Sequence, residues 1–176
     1  MTAPVRRTIW RRQVRTVTSI RASAEVVWEL LTDLSAYPTW NRFMPFMSGE
    51  LRPGGVVKAE VRFRRGFLGL PFRFQAQVLR CDDCREIRWT GKLLFRRLFS
   101  GVHSFVLEPA PAGNGDADQT PGPSVVLTHA EELYGLLVPL LAWYLAPRME
   151  EGFEEMNEAI RARAEGAVTA RSVGTP

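Results

Sequence analysis

Histidine, lysine and cysteine are scarce in this chain. Its 176 residues include two histidines, His103 and His129, and two cysteines, Cys81 and Cys84. Two cysteines cannot make a disulfide framework. Of the 23 basic residues, only Lys58 and Lys92 are lysines and the rest are arginines. Long apolar runs are also missing. The longest, residues 136–146, is interrupted by Pro139 and ended by Pro147, and it falls short of the about 20 residues that span a bilayer. Arg6, Arg7, Arg11, Arg12 and Arg15 crowd the N-terminal segment without an apolar core, so it does not read as a secretory signal and the expected compartment is the cytoplasm. Neither an internal repeat nor a linker divides the chain, and its length suits one domain.

The chain is 45% hydrophobic and 24% charged, with a net charge of +4. That excludes a disordered chain. A basic balance points first to nucleic acid, but the arginines scatter over several segments and no groove-reading motif collects them. No nucleic-acid partner is expected. The arginine-rich N-terminal segment could instead touch an anionic membrane or a partner protein. Arg62, Arg64, Arg65, Arg96 and Arg97 read as a solvated face.

Residues 13–20 are rich in Val, Thr and Ile and predict a first strand. Ser23 precedes Glu25 in the manner of an N-cap with an acid in the first turn. Val27, Leu30, Leu31 and Leu34 follow at helical spacing. Pro38 ends that helix, and a second short helix or turn is expected at 38–41. A strand at 46–52 precedes the turn Pro53-Gly54-Gly55. Val57, Ala59, Val61 and Phe63 then alternate with Lys58, Glu60, Arg62 and Arg64, as on a strand with one buried face. The same alternation recurs through Phe72, Phe74, Ala76 and Val78, through Ile87, Trp89 and Gly91, through His103, Phe105 and Leu107, and through Leu127, His129, Glu131 and Leu133. The Pro- and Gly-rich stretch 109–123 reads as a long hairpin connection. Leu141, Leu145, Met149, Phe153, Met156 and Ile160 stripe a long final helix, which Pro147 should kink or begin. Residues 167–176 read as a frayed tail. The order implies an α+β domain in which a curved antiparallel sheet wraps the final helix, with a ligand-sized space between them.

His129 and Glu131 are two apart on a strand and so share a face. A carboxylate beside an imidazole can set its tautomer, and the pair can serve as general acid and base. It can equally be a structural hydrogen-bond pair holding the strand to the helix. His103, on the preceding strand, falls on a face that the hairpin can bring near His129. Two imidazoles and Glu131 are too few obvious ligands for a metal site to be expected, and no cofactor is expected. Cys81 and Cys84 have C-x-x-C spacing but flank an acidic turn, which raises thiol pKa values, so they read as incidental. The apolar loop 66–71 and the segment 136–145 are candidates for a pocket mouth or a docking patch, or pack on each other.

Several segments together resemble a known superfamily: AEVVWELLTD at 24–33, YPTWN at 37–41, REIRW at 85–89, GVHSF at 101–105, LTHAE at 127–131 and GFEEMN at 152–157. In this order and spacing they resemble the START-like superfamily, which includes Bet v 1-like proteins, polyketide cyclase/dehydrase-type proteins, lipid-transfer START domains and the small bacterial SRPBCC proteins. The resemblance implies a helix-grip fold over residues 13–165, preceded by a basic arm at 1–12 and followed by a flexible tail at 166–176. It implies a cavity for a hydrophobic or amphipathic small molecule, such as a lipid or polyketide, lined by Trp40, Phe63, Phe74, Trp89, His103, Phe105, His129, Glu131, Tyr144, Met149 and Phe153. Two positions depart from the family pattern. Arg42 stands where a proline is usual, which changes the pocket rim, and Leu133 stands where an aromatic is usual, which changes pocket width or polarity. The preferred function is ligand binding or transport. A cyclase, aromatase or dehydratase using His129 and Glu131 remains open, as does a non-catalytic interaction domain. Peripheral membrane contact and a monomer or homodimer fit all three.

Overall fold

A computed structural model describes residues 9–64, 71–92, 98–111 and 124–173, without the side chains of Lys92 and residues 171–173. Strand β1 (Arg11–Ile20) leads into helices α1 (Ala24–Thr32) and α2 (Tyr37–Trp40). Strands β2 (Phe46–Gly49), β3 (Val56–Val61), β4 (Phe72–Asp82), β5 (Glu86–Lys92), β6 (Ser100–Pro109) and β7 (Val125–Tyr134) follow, and helix α3 (Val138–Val173) closes the chain. The seven strands form one sheet in the order β1-β7-β6-β5-β4-β3-β2, with every neighbouring pair antiparallel. This is the α+β helix-grip arrangement expected from the sequence. A bulge in β4 between Val78 and Arg80 shifts its register on β5, and such bulges bend a sheet.

The period-2 alternation places Val57, Ala59, Ala76, Val78, Ile87, Trp89, Phe105, Leu107 and Leu127 on the covered face, where all are buried. Phe153, Met156, Ile160 and Ala164 of α3 pack on them, as do Val27 and Leu31 of α1. The Tyr37 hydroxyl donates to the Leu31 carbonyl at 2.9 Å and locks α2 under α1. A second, smaller apolar cluster forms at the start of α3 from Phe99, Leu133, Val138, Ala142 and Leu145. Met149 touches both clusters, and the space between them becomes the cavity described below.

Several boundaries differ from the sequence expectation. Strand β1 begins at Arg11, inside the segment expected to be an arm. Strand β2 stops at Gly49, whose φ of 122° no other residue adopts easily. Helix α3 starts at Val138, not at Pro147, which lies inside it. It also continues to Val173 through the expected tail, because no proline follows Pro147 until Pro176 and Val168 packs on the core. Glu60, expected in solvent, is buried between Arg62 and Arg73, each 2.7 Å from one of its oxygens. Arg73 and then Arg62 hold its carboxyl below the usual range. Arg6, Arg7, Arg65, residues 66–70, Phe95, Arg96, Arg97 and most of the stretch 109–123 lie outside the described residues.

Candidate functional site

The pairing of β5, β6 and β7 sets the site. His103 lies directly opposite Glu131 and also opposite Trp89. Phe105 lies opposite His129. Each of these side chains therefore falls on the covered face, in two adjacent rungs of the sheet. The His103 ring stacks on Trp89 with centroids 4.6 Å apart, and the His129 ring stacks on Phe153 at 3.7 Å. Both histidines are buried.

A chain of hydrogen bonds runs through the four polar side chains. Glu131 Oε2 lies 2.8 Å from His103 Nδ1. His103 Nε2 lies 3.0 Å from His129 Nε2, and His129 Nδ1 lies 2.9 Å from Asn157 Oδ1. Asn157 Nδ2 donates to Thr16 Oγ1 at 3.0 Å and Thr18 Oγ1 at 3.1 Å. The proton positions follow from that last step. With its amide nitrogen committed to the two threonines of β1, Asn157 offers only an acceptor to His129. Burial, and then the neighbouring His103, hold the His129 pKa well below its usual 6.5, so the ring is neutral. Its single N–H is therefore on Nδ1 and donates to Asn157. His129 Nε2 must then accept, and His103 Nε2 donates to it. One proton remains for the bond between His103 Nδ1 and Glu131 Oε2, and either heavy atom can carry it without breaking a bond upstream.

That variable end faces a cavity of about 160 Å³. Among the described residues, Glu131 and His103 are its ionisable wall groups, and the remaining lining is apolar apart from the backbone of Gly91 and Gly101. The sheet contributes Val61, Phe72, Phe74, Trp89 and Leu133, the segments beside β2, β3 and β6 contribute Phe43, Met44, Phe63 and Phe99, and α3 contributes Leu141, Leu145, Met149 and Phe153. Two glycines make the room. Gly91 and Gly101 are direct cross-strand partners, and a Cβ on Gly101 would overlap Glu131 Oε1. A bare backbone at that position leaves room for the carboxyl on the cavity wall. Gly152 plays the same part on α3, where a Cβ would overlap the Phe43 ring. Phe43 then meets Phe153 edge-on at 5.7 Å.

Of the residues expected to line the cavity, Phe63, Phe74, Trp89, His103, Glu131, Met149 and Phe153 do so. Four do not. His129 lies behind His103, reached only through its ring. Phe105 packs behind Trp89 and His129. Trp40 packs on Tyr37 under α1. Tyr144 packs against the smaller apolar cluster and carries the Arg148 guanidinium on its ring face at 3.6 Å. The expected pairing of His129 with Glu131 is also corrected, since the carboxylate bonds His103. Same-face spacing brings residues i and i+2 into line along a strand, but a directly opposed residue on the next strand is closer. Sequence reasoning missed Asn157 and the two glycines. Asn157 has a signal in the sequence, a lone amide beside Met156 and Ile160 on the apolar stripe. Arg42 is exposed beside Phe43, and Leu133, the other departure from the family pattern, is on the cavity wall.

Cys81 and Cys84 are free. Burial first, and the nearby carboxylates after it, push both thiols up, which leaves them poor nucleophiles. Among the described residues, no cluster of three or more His, Cys, Asp or Glu side chains is arranged to hold a metal ion.

Comparison with known proteins gives the same frame. Residues 11–165 match a family model described as polyketide cyclase / dehydrase and lipid transport. No curated protein matches. Among solved structures, the Zhui aromatase/cyclase from Streptomyces sp. R1128 is similar with a TM-score of 0.69 at 18% identity, over 94% of this chain and 99% of that one. A START superfamily protein from Mycobacterium smegmatis has a TM-score of 0.63 at 20% identity, over 88% of this chain and 98% of that one. The di-domain ARO/CYC BexL from the BE-7585A biosynthetic pathway has a TM-score of 0.65 at 12% identity. The match takes in 90% of this chain, which spans about half, 52%, of that one. At these identities the likeness shows a shared fold.

Proposed function

The chain belongs to the polyketide cyclase/dehydrase and lipid transport family, and from that premise we propose that it binds a small hydrophobic molecule in the cavity, with an oxygen-bearing end turned towards Glu131 and His103. The observation that carries this reading is the contrast within the cavity, where the described residues give an aromatic and aliphatic lining with one hydrogen-bonding spot. Apolar burial supplies affinity at about 25 cal/mol per Å², and the single polar spot fixes orientation. Size limits the occupant. A cavity of about 160 Å³ is close to one of about 150 Å³ that holds a single benzene. One aromatic ring or a short acyl segment fits as the walls stand, and a fused-ring ligand requires Phe63, Phe72 or Met149 to swing aside.

The test is native mass spectrometry of the freshly purified chain, followed by thermal shift with 2-naphthol, naphthalene and decanoate. The expected result is a retained or added compound at one per chain, with naphthol raising Tm more than naphthalene of the same ring size. If no compound is retained and neither these three nor the single-ring phenol, which the walls admit as they stand, shifts Tm, the cavity is a packing defect and the reading is wrong.

A second reading has its own supporting observation. The proton shared by His103 and Glu131 can move to or from a bound molecule, which is what a general acid or base at a carbon beside a carbonyl must do. Under that reading Glu131 and His103 touch the substrate. His129 and Asn157 are positioning residues, since they act through the tautomer of His103. Glu131→Gln should then abolish turnover of a poly-β-ketone probe while leaving naphthol binding in place.

A further inference from the structure

The first turns of α3 present an apolar face that no described residue covers. Residues 135–147 carry no charged side chain. Val138, Ala142 and Leu145 point inward and are buried against Phe99 and Leu133. Leu136, Leu140 and Trp143 fall at i, i+4 and i+7, and are 58%, 65% and 73% exposed. A helix apolar on both faces normally has something packed on each. The patch extends beyond the helix. The Gly135 amide donates to the Trp10 carbonyl at 3.1 Å, which ties the exposed Ile9 and Trp10 to the residue before Leu136. Arg11 and Arg12 follow directly and are exposed. The chain has no acidic residue before Glu25.

We propose that this face, Leu136, Leu140 and Trp143 with Trp10 and the adjoining arginines, docks on the surface of an anionic lipid bilayer. A bilayer interface accepts all three components. Aliphatic side chains enter the acyl boundary, tryptophan sits at headgroup level, and arginine meets lipid phosphate. The segment is too short to span a membrane, and no described helix is long and apolar enough to cross one, so the contact is peripheral. Charge chooses the bilayer over a second copy of the chain. A two-fold dimer through this face would bring Arg11 and Arg12 of the two copies towards each other, where like charges repel. The proposal goes beyond cavity binding and does not depend on what the cavity holds.

The experiment is co-sedimentation of the full chain with phosphatidylcholine vesicles, with and without phosphatidylglycerol, at low and high salt. The chain should bind the anionic vesicles about tenfold or more tightly than the neutral ones, and high salt should remove the difference. The double substitution Leu140→Ser with Trp143→Ser should weaken anionic binding about tenfold or more, with Tm unchanged because both side chains are already in water. No binding to anionic vesicles at low salt overturns the proposal. So does unchanged binding by the double variant. A chain that dimerises at micromolar concentration and becomes monomeric on Trp143→Ser also overturns it, because the face is then an interface between copies.

Discussion

His129 is wholly buried with its ring flat on Phe153, and a charge there would sit in an apolar box with another imidazole beside it. Its pKa in the folded chain is therefore well below the usual 6.5, with burial the larger cause. Between the folded and unfolded values the unfolded chain binds more protons, so protonation favours unfolding. The contribution is complete above about 6.5 and is lost as pH falls towards the folded value. Denaturant unfolding at pH 7.5 and 5.5 should show lower stability at 5.5. His129→Phe keeps the stack on Phe153 and removes the titration. It should cost about 1–3 kcal/mol, since Asn157 Oδ1 and the His103 N–H each lose a partner, yet it should be flatter between the two pH values. Glu60 acts in a separate window. Its carboxyl is held below the usual 4.5 by Arg73 and Arg62, so it contributes above that value and is lost only as pH falls below it. An undiminished slope in His129→Phe would place the pH sensitivity elsewhere.

Helix α3 carries a proline in its interior and continues past it. Pro147 has no N–H to give the Trp143 carbonyl and its ring crowds that turn. One residue on, Arg148 donates from Nη1 to the Tyr144 carbonyl at 2.7 Å while its guanidinium lies over the Tyr144 ring. Pro147 is exposed, so alanine fits without repacking. Pro147→Ala should stabilise the chain by about 1–3 kcal/mol, read as a higher denaturant midpoint. A loss of stability would mean that the break is what seats Leu141 and Leu145 on the cavity wall. The same helix shows where sequence patterns stop being informative. The alternation of β4 through β7 was legible because one face is buried and the other wet, which forces period 2. The start of α3 was not legible, because a segment without polar side chains at regular spacing has no period and two prolines look like boundaries. The hydrogen-bond partner of Glu131 was not legible either. It depends on the register of a hairpin whose connection is long, and only the pairing of Val102 with Glu132 and His103 with Glu131 decides it.

At the scale of the whole molecule, two apolar clusters share α3 and leave a gap between them. The gap was foreseeable as a space under the final helix, but its floor was not, because a glycine on a strand reads as a bulge or weak point before it reads as a cavity. Gly91 gives a way to separate fold from function. A Cβ there would meet Phe74 at 3.6 Å, an ordinary contact, so a larger side chain can enter the cavity without displacing the backbone. Gly91→Leu should fill much of the space and raise stability by about 0.5–2 kcal/mol through apolar burial. A ligand that binds only the folded chain adds about 2.7 kcal/mol at one hundred times its Kd. The native chain should therefore show a low baseline Tm that rises with naphthol, and Gly91→Leu a higher baseline that does not. If the variant gains as much from ligand as the native chain, the molecule binds outside the cavity, and the packing of Glu131 against Gly101 serves the fold alone.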